Sequence, residues 1–181
     1  MAINFPDSPG VGSANREYRN KITNEVTVKI YNNILSNEER IFLLEKCKPF
    51  LVEIEDSPGL QTYDGLHRAF PNGLDIFEKI KKGGKIDREI KQCWMNYTDI
   101  NFAYECWHNH ATLPEDRDIY DYSCCYMLEN PENLGTWFRL NDEICKVTCL
   151  TNSLIVFRKS IIHTVPPNIT KPRYSIAMNF Y

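Results

Sequence analysis

The alternation of apolar and polar positions changes along the chain, and the first part mixes strand and helix patterns. Residues 26–31 alternate and are rich in β-branched side chains, which is typical of a half-buried strand. Ser36 and Glu39 then have the spacing of a helix capping box, and apolar residues follow at helical intervals. This spacing predicts a helix over residues 37–48, which Pro49 ends.

The mixed pattern continues up to residue 92. A second strand is predicted over residues 50–55, and the glycines and prolines of residues 56–73 indicate an irregular loop. Apolar residues on one side of residues 74–82 predict a second helix. Residues 86–92 suit one further helical turn.

From residue 93 onward, short strand patterns recur with turn residues between them. Eight strands are predicted, at residues 93–97, 103–110, 123–128, 136–140, 144–148, 153–157, 160–165 and 173–181. Eight short strands after a helical prelude predict a mostly β fold with N-terminal helices, a double-sheet jelly roll whose helices pack on one sheet. A barrel of this kind is wide enough to hold a small ligand in its mouth.

Length and charge narrow the possible classes of protein. The 181 residues suit one domain, expected over residues 26–181, with a helical and strand prelude at 26–92 and the jelly-roll core at 93–181. Residues 1–25 are expected to form a flexible arm without the apolar core of a signal peptide. No apolar run approaches the roughly 20 residues that cross a bilayer. A net charge of −3 without a basic stripe argues against a nucleic-acid partner.

The seven cysteines bear on the redox state of the protein. Their number is odd and no pair has C-x-x-C spacing, so reduced thiols in a cytoplasmic protein are the favoured interpretation. A cysteine zinc site is disfavoured because structural zinc usually takes closely spaced cysteine pairs.

Three of the four histidines are candidate metal ligands. His108 and His110 lie two positions apart on a predicted strand, so their side chains share a face with Cα atoms roughly 6.5–7 Å apart. Two imidazoles at this spacing can converge on one metal, and His163 is the candidate third ligand. Imidazole suits iron, zinc, copper and nickel alike, so the ligands leave the metal open. His67 is not expected to bind metal, although it could line the pocket entrance.

Arginine and serine residues open the final strand and suggest a second ligand. Arg173, Ser175 and Asn179 share one face of that strand with Ala177, whereas the other face is bulky and apolar. The bulky face is expected to pack against the helices, which turns the polar face into the barrel. A guanidinium binds a carboxylate with two hydrogen bonds, and a hydroxyl two residues on can add a third. Arg173 and Ser175 are therefore the candidate binding site for a carboxylate.

These motifs together resemble the iron(II)/2-oxoglutarate-dependent oxygenase superfamily, in particular short phage and bacterial members and prolyl-hydroxylase-like members with a W-H-x-H motif. The resemblance covers most of residues 26–181 and is strong from residue 93 onward. It is carried by Trp107-His108-Asn109-His110, the strand at 123–128, Gly135-Thr136-Trp137-Phe138, the segment 152–157, His163 and Arg173-Tyr174-Ser175.

The resemblance implies a double-stranded β-helix with iron(II) and 2-oxoglutarate as cofactors. In the family, a His-x-Asp/Glu pair and a distal histidine hold the iron, and an arginine holds the far carboxylate of 2-oxoglutarate. His108 then corresponds to the first ligand, His163 to the distal ligand, and Arg173 and Ser175 to the 2-oxoglutarate site. With His108 as the first ligand, the position of the carboxylate ligand carries His110; with His110 as the first ligand, it would carry Thr112. The alternatives are therefore a three-histidine site, a position left open for a halide, or an acid from the next loop, Glu115 or Asp116.

The function that the resemblance implies is a dioxygenase that hydroxylates a C–H bond and releases succinate and CO2. The substrate is expected to be a small molecule or a protein side chain, and neither it nor the oligomeric state follows from the sequence. Two alternatives stay open. One is a cupin-like metalloprotein with three histidines and no keto acid, and the other is a jelly-roll binding module without enzymatic activity.

Overall fold

The computed structural model of the protein describes residues 16–19, 26–54, 59–69, 74–101, 104–110, 122–140 and 143–181. Three α-helices lie in these ranges: α1 (Asn37–Cys47), α2 (Leu66–Ala69) and α3 (Leu74–Gly83). The strands are β1 (Arg16–Arg19), β2 (Val26–Asn32), β3 (Val52–Glu53), β4 (Leu60–Gln61), β5 (Ile90–Thr98), β6 (Tyr104–His108), β7 (Tyr122–Glu129), β8 (Leu134–Leu140), β9 (Glu143–Thr148), β10 (Ser153–Arg158), β11 (His163–Val165) and β12 (Arg173–Phe180).

The strands form two antiparallel sheets. The larger sheet has the order β1-β2-β10-β7-β12-β5-β4-β3, and the smaller has the order β6-β11-β8-β9. The central strands of the larger sheet come from distant parts of the chain, since β12 lies between β5 and β7. This arrangement confirms the predicted mostly β fold with two sheets and few helices.

One face of the larger sheet is covered by helices. Leu43 and Leu44 of α1 and Phe77 of α3 belong to the same buried cluster as Ile176 and Met178 of β12. Because side chains alternate along a strand, the bulky face of β12 packs against the helices, as its sequence predicted. The opposite face of β12 is thereby turned towards the smaller sheet.

A second buried cluster lies between the two sheets. Ile155 and Phe157 of β10 and Met127 of β7 contribute from the larger sheet, and Phe138 of β8 and Val147 of β9 contribute from the smaller. Burial of such side chains supplies the main driving force that holds the sheets together. The candidate site residues lie at this inter-sheet layer.

Local sequence signals account for some elements and not for others. Ser36 Oγ accepts a hydrogen bond from Glu39 N at 3.2 Å, and Glu39 Oε2 accepts one from Ser36 N at 3.0 Å, so the predicted capping box begins α1. The helical turn predicted over residues 86–92 is wrong, because Ile90 onward pairs with β12 along its length. The loop predicted over residues 56–73 contains β4 and α2 in its described part.

Residues 16–19, which the sequence placed in the arm, pair with β2 as an edge strand. The rest of residues 1–25 lies outside the described ranges. Among the described cysteines none forms a disulfide, and burial raises the pKa of the Cys47 and Cys149 thiols to about 12. No helix in the described ranges combines the length and apolar character needed to cross a bilayer.

The loop between β11 and β12 is tied down by one carboxylate. Glu132, in the turn between β7 and β8, accepts hydrogen bonds from the backbone N–H groups of Ile169, Thr170 and Lys171 and from the Thr170 hydroxyl. These bonds hold the pKa of Glu132 at about 2, below its ordinary 4.5. The loop leads directly into Arg173, so Glu132 helps to fix the start of β12.

The Glu132→Gln variant is therefore expected to be less stable than wild type at neutral pH. The charged carboxylate favours the folded state fully above pH 4.5, and this contribution is lost between pH 4.5 and about 2 as the unfolded and then the folded state is protonated. The difference in Tm between the two proteins should shrink over that window. Thermal unfolding of both proteins between pH 2 and 7 measures it, and a difference that is constant with pH would contradict the assignment.

Candidate metal centre

Three histidines from two strands and the segment after β6 converge inside the fold. His163 on β11 is the register partner of His108 on β6, and His110 follows two residues later. The possible ligand nitrogens of the three side chains all lie within 4.8 Å of one another. The ring centroid of His163 lies 4.4 Å from that of His108 and 4.8 Å from that of His110. Three nitrogens this close need only small ring movements to converge on one ion, because metal–nitrogen distances are about 2.0–2.1 Å.

Two of the rings have one nitrogen engaged by the protein. His163 Nδ1 lies 2.9 Å from the Ile161 carbonyl oxygen, and His110 Nδ1 lies 2.7 Å from Asn179 Oδ1. Carbonyl oxygens only accept hydrogen bonds, so Nδ1 carries the proton in both rings. The lone pair is then on Nε2, the nitrogen that remains for a metal.

Burial keeps these imidazoles neutral. It lowers the pKa of His163 to about 3, with a smaller contribution from His110. Burial, and then the neighbouring His108, lower the pKa of His110 to about 4, against the hydrogen bond that the ring donates to Asn179, which raises it. At neutral pH both rings therefore have a lone pair available, and no proton has to be displaced when a metal binds.

Aromatic side chains enclose the cluster. The Phe157 ring lies 4.8 Å from His163, and Phe138 lies 6.0 Å from it, both between ring centroids. Trp94 on β5 packs edge-on against His110 at 5.9 Å. Sequence reasoning did not single out these three residues as parts of the site. Their apolar walls restrict water around the imidazoles.

Arg173 is buried on the face of β12 that is turned towards the smaller sheet, here called the barrel face. Arg173 is 2% exposed, its Nη1 donates to the Leu134 carbonyl oxygen at 3.0 Å, and its Nε has no hydrogen-bond partner among the described residues. No carboxylate of the described residues forms an ion pair with it. Burial lowers the pKa of Arg173, but arginine stays charged in proteins. A buried cation with an unused donor fits an anionic ligand.

Ser175 lies two residues along the same face and is 6% exposed. Burial raises the pKa of the neighbouring Cys125 thiol, whereas Arg173 and then a hydrogen bond with Ser175 act to lower it. Arg173 and Ser175 therefore present a cation and a hydroxyl to the interior, which suits one carboxylate of a keto acid. The structure thus places Arg173 and Ser175 on the same strand as Asn179, the hydrogen-bond partner of His110.

The remaining candidates lie elsewhere. His67 is in α2 on the helix side of the large sheet, where it packs edge-on against Phe77 and accepts a hydrogen bond from Arg68 Nε at 3.2 Å. It lines a separate cavity of about 260 Å³ with Phe77 and residues of α3 and β5, so it does not border the histidine cluster. Glu115 and Asp116 lie outside the described residues.

Comparison with known proteins identifies the fold. No protein-family model matches the chain, and no curated protein matches it significantly. Among solved structures, a prolyl-4-hydroxylase from Pseudomonas putida is 18% identical with a TM-score of 0.59, covering 85% of this chain and 91% of its own. A prolyl hydroxylase from Trichoplax adhaerens, in complex with a hypoxia-inducible-factor peptide, is 16% identical with a TM-score of 0.60, covering 86% and 83%.

A third similar structure contains a small molecule, hygromycin B, and not a peptide. HygX from Streptomyces hygroscopicus, with nickel, 2-oxoglutarate and hygromycin B bound, is 9% identical with a TM-score of 0.64, covering 85% of this chain and 82% of its own. The chain therefore has the fold of the iron(II)/2-oxoglutarate-dependent oxygenases, which the sequence resemblance predicted. At these identities the comparison shows the fold alone.

Proposed function

We propose that the protein is an iron(II)/2-oxoglutarate-dependent dioxygenase that hydroxylates a C–H bond of its substrate. The observation that carries this proposal is the convergence of three histidine imidazoles in the interior of this fold. The buried Arg173, which has no carboxylate partner among the described residues, supports it further. Structures with the same fold contain 2-oxoglutarate and nickel.

The polar residues of the site have two roles in this proposal, metal binding and co-substrate binding. His108, His110 and His163 would hold the iron, and Arg173 with Ser175 would hold the far carboxylate of 2-oxoglutarate. When bound, iron and keto acid supply the oxidising chemistry, in which O2 converts 2-oxoglutarate to succinate and CO2 and delivers one oxygen atom to a C–H bond. Phe138, Phe157 and Trp94 limit access of water. The side chains themselves bind and orient, and none has to act as a general base.

The substrate class is argued from the neighbours of this fold. One of them binds a peptide and another binds hygromycin B. The expectation of a small molecule or a protein side chain as substrate agrees with both and stays a prediction. Direct C–H oxidation is proposed over halogenation because His110 occupies the position that a halide would need.

The test is a turnover measurement without added substrate. Purified protein is loaded anaerobically with iron(II) and 2-oxoglutarate, exposed to O2, and assayed for succinate. Slow succinate formation that requires both iron and O2 is the expected result. Metal binding without any binding of 2-oxoglutarate would favour a cupin-like metalloprotein instead. No metal binding at all would favour a binding module without enzymatic activity.

A further inference from the structure

Three polar residues form a row across the large sheet beside His110. Asn179 on β12 is the register partner of Gln92 on β5 and of Ser123 on β7. Ser123 is fully buried, and Asn179 is 7% exposed. The row lies at the opposite end of β12 from Arg173, on the same face. Buried polar side chains of this kind need partners within the fold.

The hydrogen bonds of the row point in one direction. Asn179 Nδ2 donates to Gln92 Oε1 at 3.0 Å, so the Oδ1 atom of Asn179 is turned the other way. That oxygen lies 2.7 Å from Ser123 Oγ, which donates to it, and 2.7 Å from His110 Nδ1. Ser123 Oγ is itself 3.0 Å from His110 Nδ1. The amide oxygen therefore accepts from both neighbours.

We propose that Asn179 is the positioning residue that makes His110 a metal ligand. By accepting the Nδ1 proton, it selects the tautomer whose lone pair is on Nε2 and fixes the ring towards His108 and His163. Gln92 and Ser123 in turn fix the amide of Asn179. The inference rests on the proposed function only in that the cluster binds a divalent metal.

The need for these hydrogen bonds follows from the type of metal ligand at position 110, which is an imidazole and not a carboxylate. A carboxylate has two equivalent oxygens that can both accept, so it binds a metal in either orientation. A neutral imidazole has one lone pair, and protonation on Nε2 would block it. A histidine ligand therefore needs a second group that holds the proton on Nδ1, and Asn179 supplies the acceptor.

The direct test compares variants of Asn179 with the metal as probe. Asn179→Leu removes the acceptor at similar volume, whereas Asn179→Asp retains it. We expect Asn179→Leu to bind cobalt(II) about 10–100-fold more weakly than wild type. Asn179→Asp should match or exceed wild-type affinity. Cobalt is titrated by its visible absorption, which also changes in shape when one imidazole leaves the metal.

Two serines provide a matched pair in case Asn179→Leu folds poorly. Ser123 and Ser153 are both fully buried, and each hydroxyl donates to an asparagine Oδ1 at 2.7 Å, Ser123 to Asn179 and Ser153 to Asn32. Ser123→Ala should weaken cobalt binding, whereas Ser153→Ala should lose only stability. Equal cobalt affinity of the two serine variants would overturn the proposal.

The tautomer is measured independently of any metal. Nitrogen-15 NMR of the metal-free protein should show His110 protonated on Nδ1 in wild type and shifted towards the Nε2–H form in Asn179→Leu. An Nε2–H ring in wild type would overturn the proposal. Wild type that binds cobalt no better than Asn179→Leu would also overturn it while leaving the proposed function intact. Wild type that binds no metal would overturn both.

Discussion

Replacing His163 with alanine is expected to abolish metal binding and, with it, succinate formation. His163 is 4% exposed and is the ring closest to both other histidines, so no other described side chain replaces its nitrogen. Loss of a residue that only hydrogen-bonds to a ligand lowers the metal affinity about 10–100-fold. Loss of a direct ligand should lower it further. Equilibrium dialysis with iron(II) or cobalt(II) gives the affinity, and the succinate assay gives the activity.

His67 provides the control for the His163 variant. It is buried to a similar degree, at 7% exposed, but packs against Phe77 away from the cluster. His67→Ala should reduce stability through lost packing while it binds metal like wild type. If His163→Ala bound metal as tightly as His67→Ala, the three histidines would not form the metal site.

Replacing Arg173 with methionine is expected to weaken the binding of 2-oxoglutarate without lowering the melting temperature of the ligand-free protein. The affinity for 2-oxoglutarate should fall about 100-fold, because charge-assisted hydrogen bonds contribute roughly 1.5–3 kcal/mol each. The ligand-free Arg173→Met protein should melt no lower than ligand-free wild type, because the substitution removes a buried cation that has no ion-pair partner among the described residues. Isothermal titration in the presence of cobalt(II) and a thermal melt measure the two effects.

Arg40 is the matched control for this variant. Its Nη1 donates to the carbonyl oxygen of Leu128 at 2.9 Å, as Arg173 Nη1 does to that of Leu134 at 3.0 Å, but it lies on α1 at the helix side. Arg40→Met should retain wild-type affinity for 2-oxoglutarate. Unchanged affinity in Arg173→Met, with metal still bound, would remove Arg173 from the co-substrate site.

Periodicity and local signals predicted much of this structure from the sequence. Strand alternation in residues 173–180 separated a polar face from a bulky one, because the side-chain period of a strand does not depend on its neighbours. The capping residues Ser36 and Glu39 located the start of α1 because their hydrogen bonds join residues only three positions apart. The spacing of His108 and His110 placed both rings near one point.

Features that depend on pairing between distant segments could not be predicted in this way. Residues 86–92 have apolar spacing that suits a helix, yet pairing with β12 makes a strand from Ile90 onward. Gln92, Asn179 and Ser123 come together only through the register of β5, β12 and β7. The one available signal was a polar Asn179 on the barrel face of an otherwise apolar strand end.

The two faces of β12 link the chemistry of the interior to the packing outside it. Sliding this strand by one residue against β5 and β7 would exchange its faces, so that Met178 entered the barrel and Asn179 met α1 and α3. The packing of the apolar face of β12 against the helices therefore fixes the register that turns the polar site residues into the interior. Substitutions of Ile176 or Met178, although remote from any ligand, bear on affinity as well as on melting temperature.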